Sequence, residues 1–200
     1  MAVLSAYSIW RHLAKTPLSV KIYIYVFSGL FASTFTLQCF SIAYRNRTLG
    51  RHGTRAEITR SGTAISIVLT LSHPLRVQAG QYIYLWLPGV SPLSFLQTHP
   101  FTVVSWSPEE QKELVLLVEP RNGLTKSLST ATASPHRALF SGPHGKSMPV
   151  GNYETVLMLA SGSGIAAQLP YLKQLMHGHE ASPRRVHLVW QVERIGERSR

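Results

Sequence analysis

Residues 155–176 read TVLMLASGSGIAAQLPYLKQLM. The run Thr155 to Ala160 is continuously apolar, the mark of a buried parallel strand. Gly162, Gly164 and Ala167 then spell G-x-G-x-x-A between that strand and a helical stretch running through Met176. Glycines in such a turn let backbone approach a phosphate, and the following helix N-terminus adds partial positive charge. Pro170 falls about two turns into the helix and removes one hydrogen bond there. A second apolar strand, Val186 to Val192, ends in Glu193-Arg194. Residues 151–200 therefore read as one β-α-β unit, the start of an α/β nucleotide-binding domain that normally has about five or six strands. The same G-x-G-x-x-A also serves as an ordinary tight turn. Ser163 is not a hydrolase elbow, because position 161 is Ser and 165 is Ile where G-x-S-x-G needs glycines. His177 and His179 have the spacing of a metal pair but read as a loop.

Upstream, residues 51–150 change period. Ala56 to Ile58, Ala64 to Leu71, Tyr82 to Leu87, Thr102 to Trp106, Leu114 to Val118 and Arg137 to Phe140 are short runs rich in β-branched and aromatic residues, punctuated by Gly and Pro. This spacing predicts an antiparallel β-barrel or sandwich. Three features inside it bear chemistry. His99-Pro100-Phe101-Thr102 offers an imidazole, a rigid turn, an aromatic face and a hydroxyl, a set that can pack on a planar ring; it equally makes a Pro-led strand with a core Phe. Glu119 to Ser127, EPRNGLTKS, is a turn feeding a short helix, where free N–H groups, a hydroxyl and two cations suit a pyrophosphate or simply cap the helix. Gly142 to Ser147 ends in GKS, but a P-loop needs Gly where Phe140 stands, and Pro149 follows where a helix should open.

Residues 1–50 hold a third pattern. Residues 22–44, IYIYVFSGLFASTFTLQCFSIAY, carry no charge and no proline. As a helix they span roughly 35 Å, enough to cross a bilayer core. Tyr23, Tyr25 and Tyr44 lie near the ends, where aromatic belts form. Six polar side chains from Ser28 to Ser41 predict a face packed on other membrane helices. Arg45, Arg47, Arg51, Arg55 and Arg60 follow the helix and outnumber Arg11, Lys15 and Lys21 before it, which places residues 45–200 in the cytosol. The chain has 200 residues, a net charge of +11 and only 14% charged residues. Its basic excess gathers beside the apolar segment and meets membrane lipid; with no nucleic-acid motif, no nucleic-acid partner is expected. All nine acids are Glu, so a Ser-His-Asp triad and an Asp-based Mg²⁺ site are excluded. The single cysteine, Cys39, excludes an internal disulfide and a Cys zinc cluster.

In order along the chain, GQYIYLWLP (80–88), SFLQTHPFTVVSW (94–106), EPRNGLTKSL (119–128), GPHGKSMPVGNYE (142–154), LASGSGIAAQLPYLKQL (159–175) and VHLVWQVER (186–194) resemble the ferric reductase and NADPH oxidase superfamily. In detail they look like the ferric-chelate reductase transmembrane components common in fungi. The resemblance covers nearly the whole chain. It implies a ferredoxin-reductase-like flavin barrel in which His99, Pro100, Phe101 and Thr102 form the FAD motif, Thr102 lies near the isoalloxazine and Phe101 packs on the cofactor. It implies that Gly123, Thr125 and Lys126 hold the FAD pyrophosphate. Gly162, Ser163, Gly164 and Ile165 would face the NADPH pyrophosphate, with Arg194 on the adenosine side. Electrons would pass from NADPH as hydride to FAD, then singly through two haems on His-bearing membrane helices to a ferric chelate outside, at the plasma membrane. The flavin is needed because it takes two electrons and releases one at a time. No catalytic residue is assigned. The helix at 22–44 contains no His, and Cys39 is not the Cys of the family's Cys-Gly segment. The haem helices are therefore expected before residue 1 and further strands after Arg200, so the chain is expected to be a fragment. Two other readings stay open: a superoxide-forming oxidase of the same superfamily, and a non-catalytic membrane-anchored remnant.

Overall fold

The computed structural model describes residues 7, 11, 17–46, 53–61, 64–90, 94, 97–130, 135–177 and 185–192. Two compact units make up the chain, Met1–Ser41 and Ile42–Arg200.

The first unit is dominated by helix α1, Leu18–Asn46, whose last turn belongs to the second unit. It extends beyond the predicted 22–44 at both ends. It is the one helix among the described residues long and apolar enough to cross a membrane, and its side chains from Ile22 to Phe40 are exposed. Three of the polar residues expected to face other helices also bond their own helix. The hydroxyls of Ser33 and Thr34 donate to the Leu30 carbonyl, each at 2.9 Å, and that of Thr36 to the Ala32 carbonyl at 2.7 Å. This back-bonding lets a hydroxyl sit in an apolar segment without a partner helix.

The second unit begins with strands β1 (Arg55–Ser61), β2 (Ala64–Leu75), β3 (Tyr82–Trp86), β4 (His99–Thr102) and β5 (Gln111–Val118). Helix α2 (Leu124–Thr130) follows, then β6 (His136–Arg137) and β7 (Leu139–His144). The strands form two antiparallel sheets, ordered β5-β2-β1-β6 and β4-β3-β7. A single bridge, Val103 to Leu116, joins the edges of the two sheets. The expected barrel thus stands as two sheets around one core, without a continuous ladder closing it among the described residues. The predicted last strand, 137–140, is split by Ala138 into β6 and β7.

Alternation builds that core. Along β2 the residues Ile65, Ile67 and Leu69 point inward at 2%, 0% and 0% exposure, facing Ile83 and Leu85 of β3 and Leu114 and Leu116 of β5 within one cluster. Burying each such side chain contributes about 1.5–3 kcal/mol. A buried polar knot ties residue 46 to these sheets. The Asn46 carboxamide donates to the Phe140 carbonyl (2.9 Å) and accepts from the Phe140 N–H (3.1 Å), so the side chain pairs with β7 as a strand residue would. The Asn46 carbonyl accepts from the Thr54 N–H and the Ser72 hydroxyl.

The α/β portion follows: β8 (Thr155–Ser161), a short 3-10 turn Gly162–Gly164, α3 (Ile165–His177) and β9 (Arg185–Gln191). β8 and β9 pair in parallel, as read from the sequence. Burial differs from the expectation. Only Met158 of β8 is buried, Leu157 and Leu159 are exposed, and β9 is exposed throughout. Helix α3 packs on β8, where Met158 is buried. Pro170 does not end α3; it is buried there and the helix continues to His177.

Candidate functional site

Strand β4 places the first group of residues. It lies antiparallel to β3, with Thr102 opposite Tyr82, Phe101 opposite Ile83, Pro100 opposite Tyr84 and His99 opposite Leu85. Directly opposed side chains share a face. Phe101 therefore stands on the core side with Ile83 and packs, half-buried, against the apolar cluster. Pro100 and Thr102 stand on the other face with Tyr84 and Tyr82. Proline is tolerated because β4 is an edge strand of its sheet. The His99 ring lies 6.5 Å from that of Phe101, and its Nε2 is 3.4 Å from Gln97 Oε1.

The second group leaves β5. Val103 bridges Leu116 and the Val104 N–H donates to the Val115 carbonyl (2.8 Å), so the end of the HPFT strand lies beside β5 two residues before Val118. Thr125 knots the turn: its hydroxyl accepts from the Arg121 N–H (3.0 Å) and donates to the Asn122 carbonyl (3.1 Å). Gly123 has φ +67°, the left-handed region, and a Cβ there would meet nothing within 4 Å. Lys126 is exposed. Helix α2 is only seven residues long, so its dipole adds little; the cradle is the open turn with its neighbouring cations Arg121 and Lys126.

The third group is the glycine turn. A Cβ on Gly162 or Gly164 would also meet open space. Ile165 is buried at 7% exposure and offers only its backbone. Two side chains hold the turn from outside. The Trp190 indole N–H donates to the Gly162 carbonyl at 2.9 Å, and the Ser163 hydroxyl donates to Glu119 Oε2 at 2.7 Å. The structure thus brings the start of the second group against the third. Sequence reasoning misses Glu119 and Trp190; the one signal it offers is a lone carboxylate directly after an apolar strand. Arg194 and His179 lie outside the described residues, and no metal-ligating cluster exists among those described.

Helix α3 sits against the strand sheets. The Tyr171 hydroxyl accepts from the Met148 N–H (3.1 Å), Lys173 Nζ donates to the Val104 carbonyl (3.4 Å), and the His177 ring lies 5.7 Å from Trp106. A cavity of about 330 Å³ in the same seam is lined by Arg76, Trp106, Met148 and Gln174 among others, and by no residue of the three groups.

This combination, two antiparallel sheets followed by a strand, a glycine turn and a helix, is the ferredoxin-reductase-like flavoprotein fold. Among solved structures, the chain resembles the Amycolatopsis cytochrome P450 reductase GcoB, with a TM-score of 0.56 and 23% identity, covering 71% of this chain and 44% of that one. It resembles phthalate dioxygenase reductase with a TM-score of 0.55 and 18% identity, covering 70% and 44%. The FAD-binding domain family matches residues 55–172, and the chain belongs to that family. Relatives include ferric/cupric reductase transmembrane component 2 of Saccharomyces cerevisiae, 32% identical over 109 residues, covering 52% of this chain and 15% of that protein. Another is a probable cell surface ferric reductase of Aspergillus oryzae, 30% identical over 142 residues, covering 62% and 18%. The chain spans less than a fifth of the length of these relatives. The resemblance read from the sequence is borne out by these matches.

Proposed function

We propose that the chain is the flavin and nucleotide-entry portion of a ferric-chelate reductase, an NADPH-dependent flavin oxidoreductase. The observation that carries this reading is the FAD-binding family match across residues 55–172, with ferric reductases among the relatives. FAD fits the residues present. The open space beside Gly123 and the exposed Lys126 suit its pyrophosphate, with Thr125 holding the turn in shape. Thr102, on the face of β4 away from the core, and the adjacent backbone would meet the isoalloxazine, beside Pro100; His99 would reach it only from the end of the strand, since it stands on the Phe101 face. Phe101 would offer only the part of its ring that the core leaves uncovered. Bound FAD would accept a hydride's two electrons and release them one at a time. The open turn at Gly162, Gly164 and the Ile165 backbone would receive the NADPH pyrophosphate, with Arg194 on the adenosine side. Phthalate dioxygenase reductase, which shares the fold, transfers electrons from pyridine nucleotides, and that supports the assignment.

The division of the chain would be 1–50, 51–150 and 151–200. Helix α1 would cross the plasma membrane against lipid and neighbouring helices, with residues 45–200 in the cytosol; the uncharged stretch 22–44 and the arginines after it support this orientation. Helix α1 holds no His, so haem ligation is not assigned to it. The electron acceptor of the whole protein would be a ferric chelate.

The test is flavin binding. The protein, purified in detergent, is expected to be yellow and to bleach with NADPH in the absence of oxygen. Thr102→Val leaves the core intact and removes one hydrogen-bonding hydroxyl. It is expected to weaken FAD affinity about tenfold, read by flavin fluorescence titration. An unchanged affinity would remove Thr102 from the site, and a wild-type protein without flavin would remove the function.

A further inference from the structure

We propose that Glu119 is a positioning residue that clamps the nucleotide turn to the flavin turn, and that Ser163 acts through it rather than on the nucleotide. This rests on the functional reading above. The two cofactors are polyanions, and the turns assigned to them meet at one carboxylate. A carboxylate has the wrong sign to bind a phosphate. Its Oε2 instead accepts the Ser163 hydroxyl at 2.7 Å and lies 3.4 Å from the Arg121 guanidinium. Arg121 offsets its charge, and a hydrogen bond to an ionised acceptor is about twice as strong as a neutral one. Ser163 is thereby committed to a protein partner and turned away from a ligand's phosphate. The contact also spans the chain's two architectures: Glu119 follows β5 directly, and Ser163 lies between β8 and α3. Because β8 and β9 are largely exposed, the glycine turn has little core of its own to fix it. A clamp of this kind sets the distance between the nucleotide and flavin sites, on which hydride transfer depends steeply.

Two readouts test it. The first needs no cofactor. Hydrogen exchange of the amides at 162–165 is expected to rise about tenfold in Glu119→Ala and in Ser163→Ala, while strand 64–71 keeps its protection and reports an intact core. Unchanged exchange at 162–165 with an intact core overturns the clamp. The second is flavin reduction by NADPH in the protein carrying FAD. Each alanine variant is expected to lower the limiting rate about tenfold, with the half-saturating NADPH concentration and the FAD content unchanged. The double variant is expected to be no slower than either single one. Glu119→Gln, whose carboxamide oxygen still accepts from Ser163, is expected to stay within about threefold of wild type. A higher half-saturating NADPH concentration in Ser163→Ala but not in Glu119→Ala would make Ser163 a nucleotide contact and overturn the proposal. Should alanine at 163 unfold the chain, Glu119→Ala carries the test alone, and a full rate there overturns the proposal. Wild-type protein that binds FAD but is not reduced by NADPH would defeat the functional reading, whatever the variants do to exchange.

Discussion

Strands β2 and β8 are both apolar, and they meet opposite fates. β2 alternates, so one face goes to a core that leaves Ile67 and Leu69 at 0% exposure while the other meets neighbours and solvent. β8 is apolar on both faces, yet α3 covers only the side that holds Met158, and Leu159 stays 62% exposed. The strand sheets of residues 55–144 therefore carry their own stability. The β8-α3-β9 portion depends on its seam with them, on Tyr171, Lys173, His177 and the Glu119–Ser163 contact. An apolar pattern states what a segment can bury, and its surroundings decide how much of that is realised.

The widest gap between the two regions is expected from matched truncations. Ile67→Ala removes buried methyl groups and leaves a cavity, at a cost of about 2–5 kcal/mol. Leu159→Ala trims an exposed side chain and is expected to stay within about 0.5 kcal/mol. Denaturant midpoints of the two variants measure the difference, and equal losses would break the comparison. A smaller effect is expected at the seam. Gly80 has φ +83°, and an added Cβ would run into the Tyr171 ring and hydroxyl. Gly80→Ala therefore meets both backbone strain and a clash, together about 1–3 kcal/mol. Its particular mark is loss of hydrogen-exchange protection in α3, Ile165–His177, with 64–71 unaffected. Equal loosening of both would mean that the seam and the core are one cooperative unit.

Much of this was legible in the sequence because the deciding signals are local. Alternation in 64–71, the parallel pair around the glycine turn and the uncharged run at 22–44 all appear where their residues predict them. What the sequence hid depends on register and on distant partners. Phe101 reads both as a face for a cofactor and as a core residue, and its pairing with Ile83 turns it to the core. Nothing local at Asn46 signals its role, and only a contact 94 residues away makes it a surrogate strand residue. Ser33, Thr34 and Thr36 bond their own helix backbone, which composition does not reveal. Glu119 stood among the residues of the pyrophosphate turn, and its bond to Ser163 crosses 44 positions.

The smallest effect probes the outer face of β3, where stability comes from polar contacts between rings rather than burial in the core. Tyr82, Tyr84 and His144 cluster there with ring centroids 5.3 to 5.6 Å apart. The side-chain hydrogen bond with Tyr84, then the charge that Tyr84 gains on ionising, then desolvation hold the Tyr82 hydroxyl above its ordinary value. A proton held more tightly in the folded chain stabilises it fully below the unfolded tyrosine pKa of about 10. That contribution fades as pH rises through the higher folded value. Tyr84→Phe removes both the hydrogen bond and the charge, so Tyr82 is expected to ionise nearer its ordinary value and the alkaline loss of stability to shrink. Tyrosinate absorbance gives the first quantity, and denaturant midpoints on either side of pH about 10 give the second. If Tyr84→Phe leaves both unchanged, the ring cluster is packing alone. The contrast between core and surface in this sheet would then rest on burial without help from the tyrosine pair.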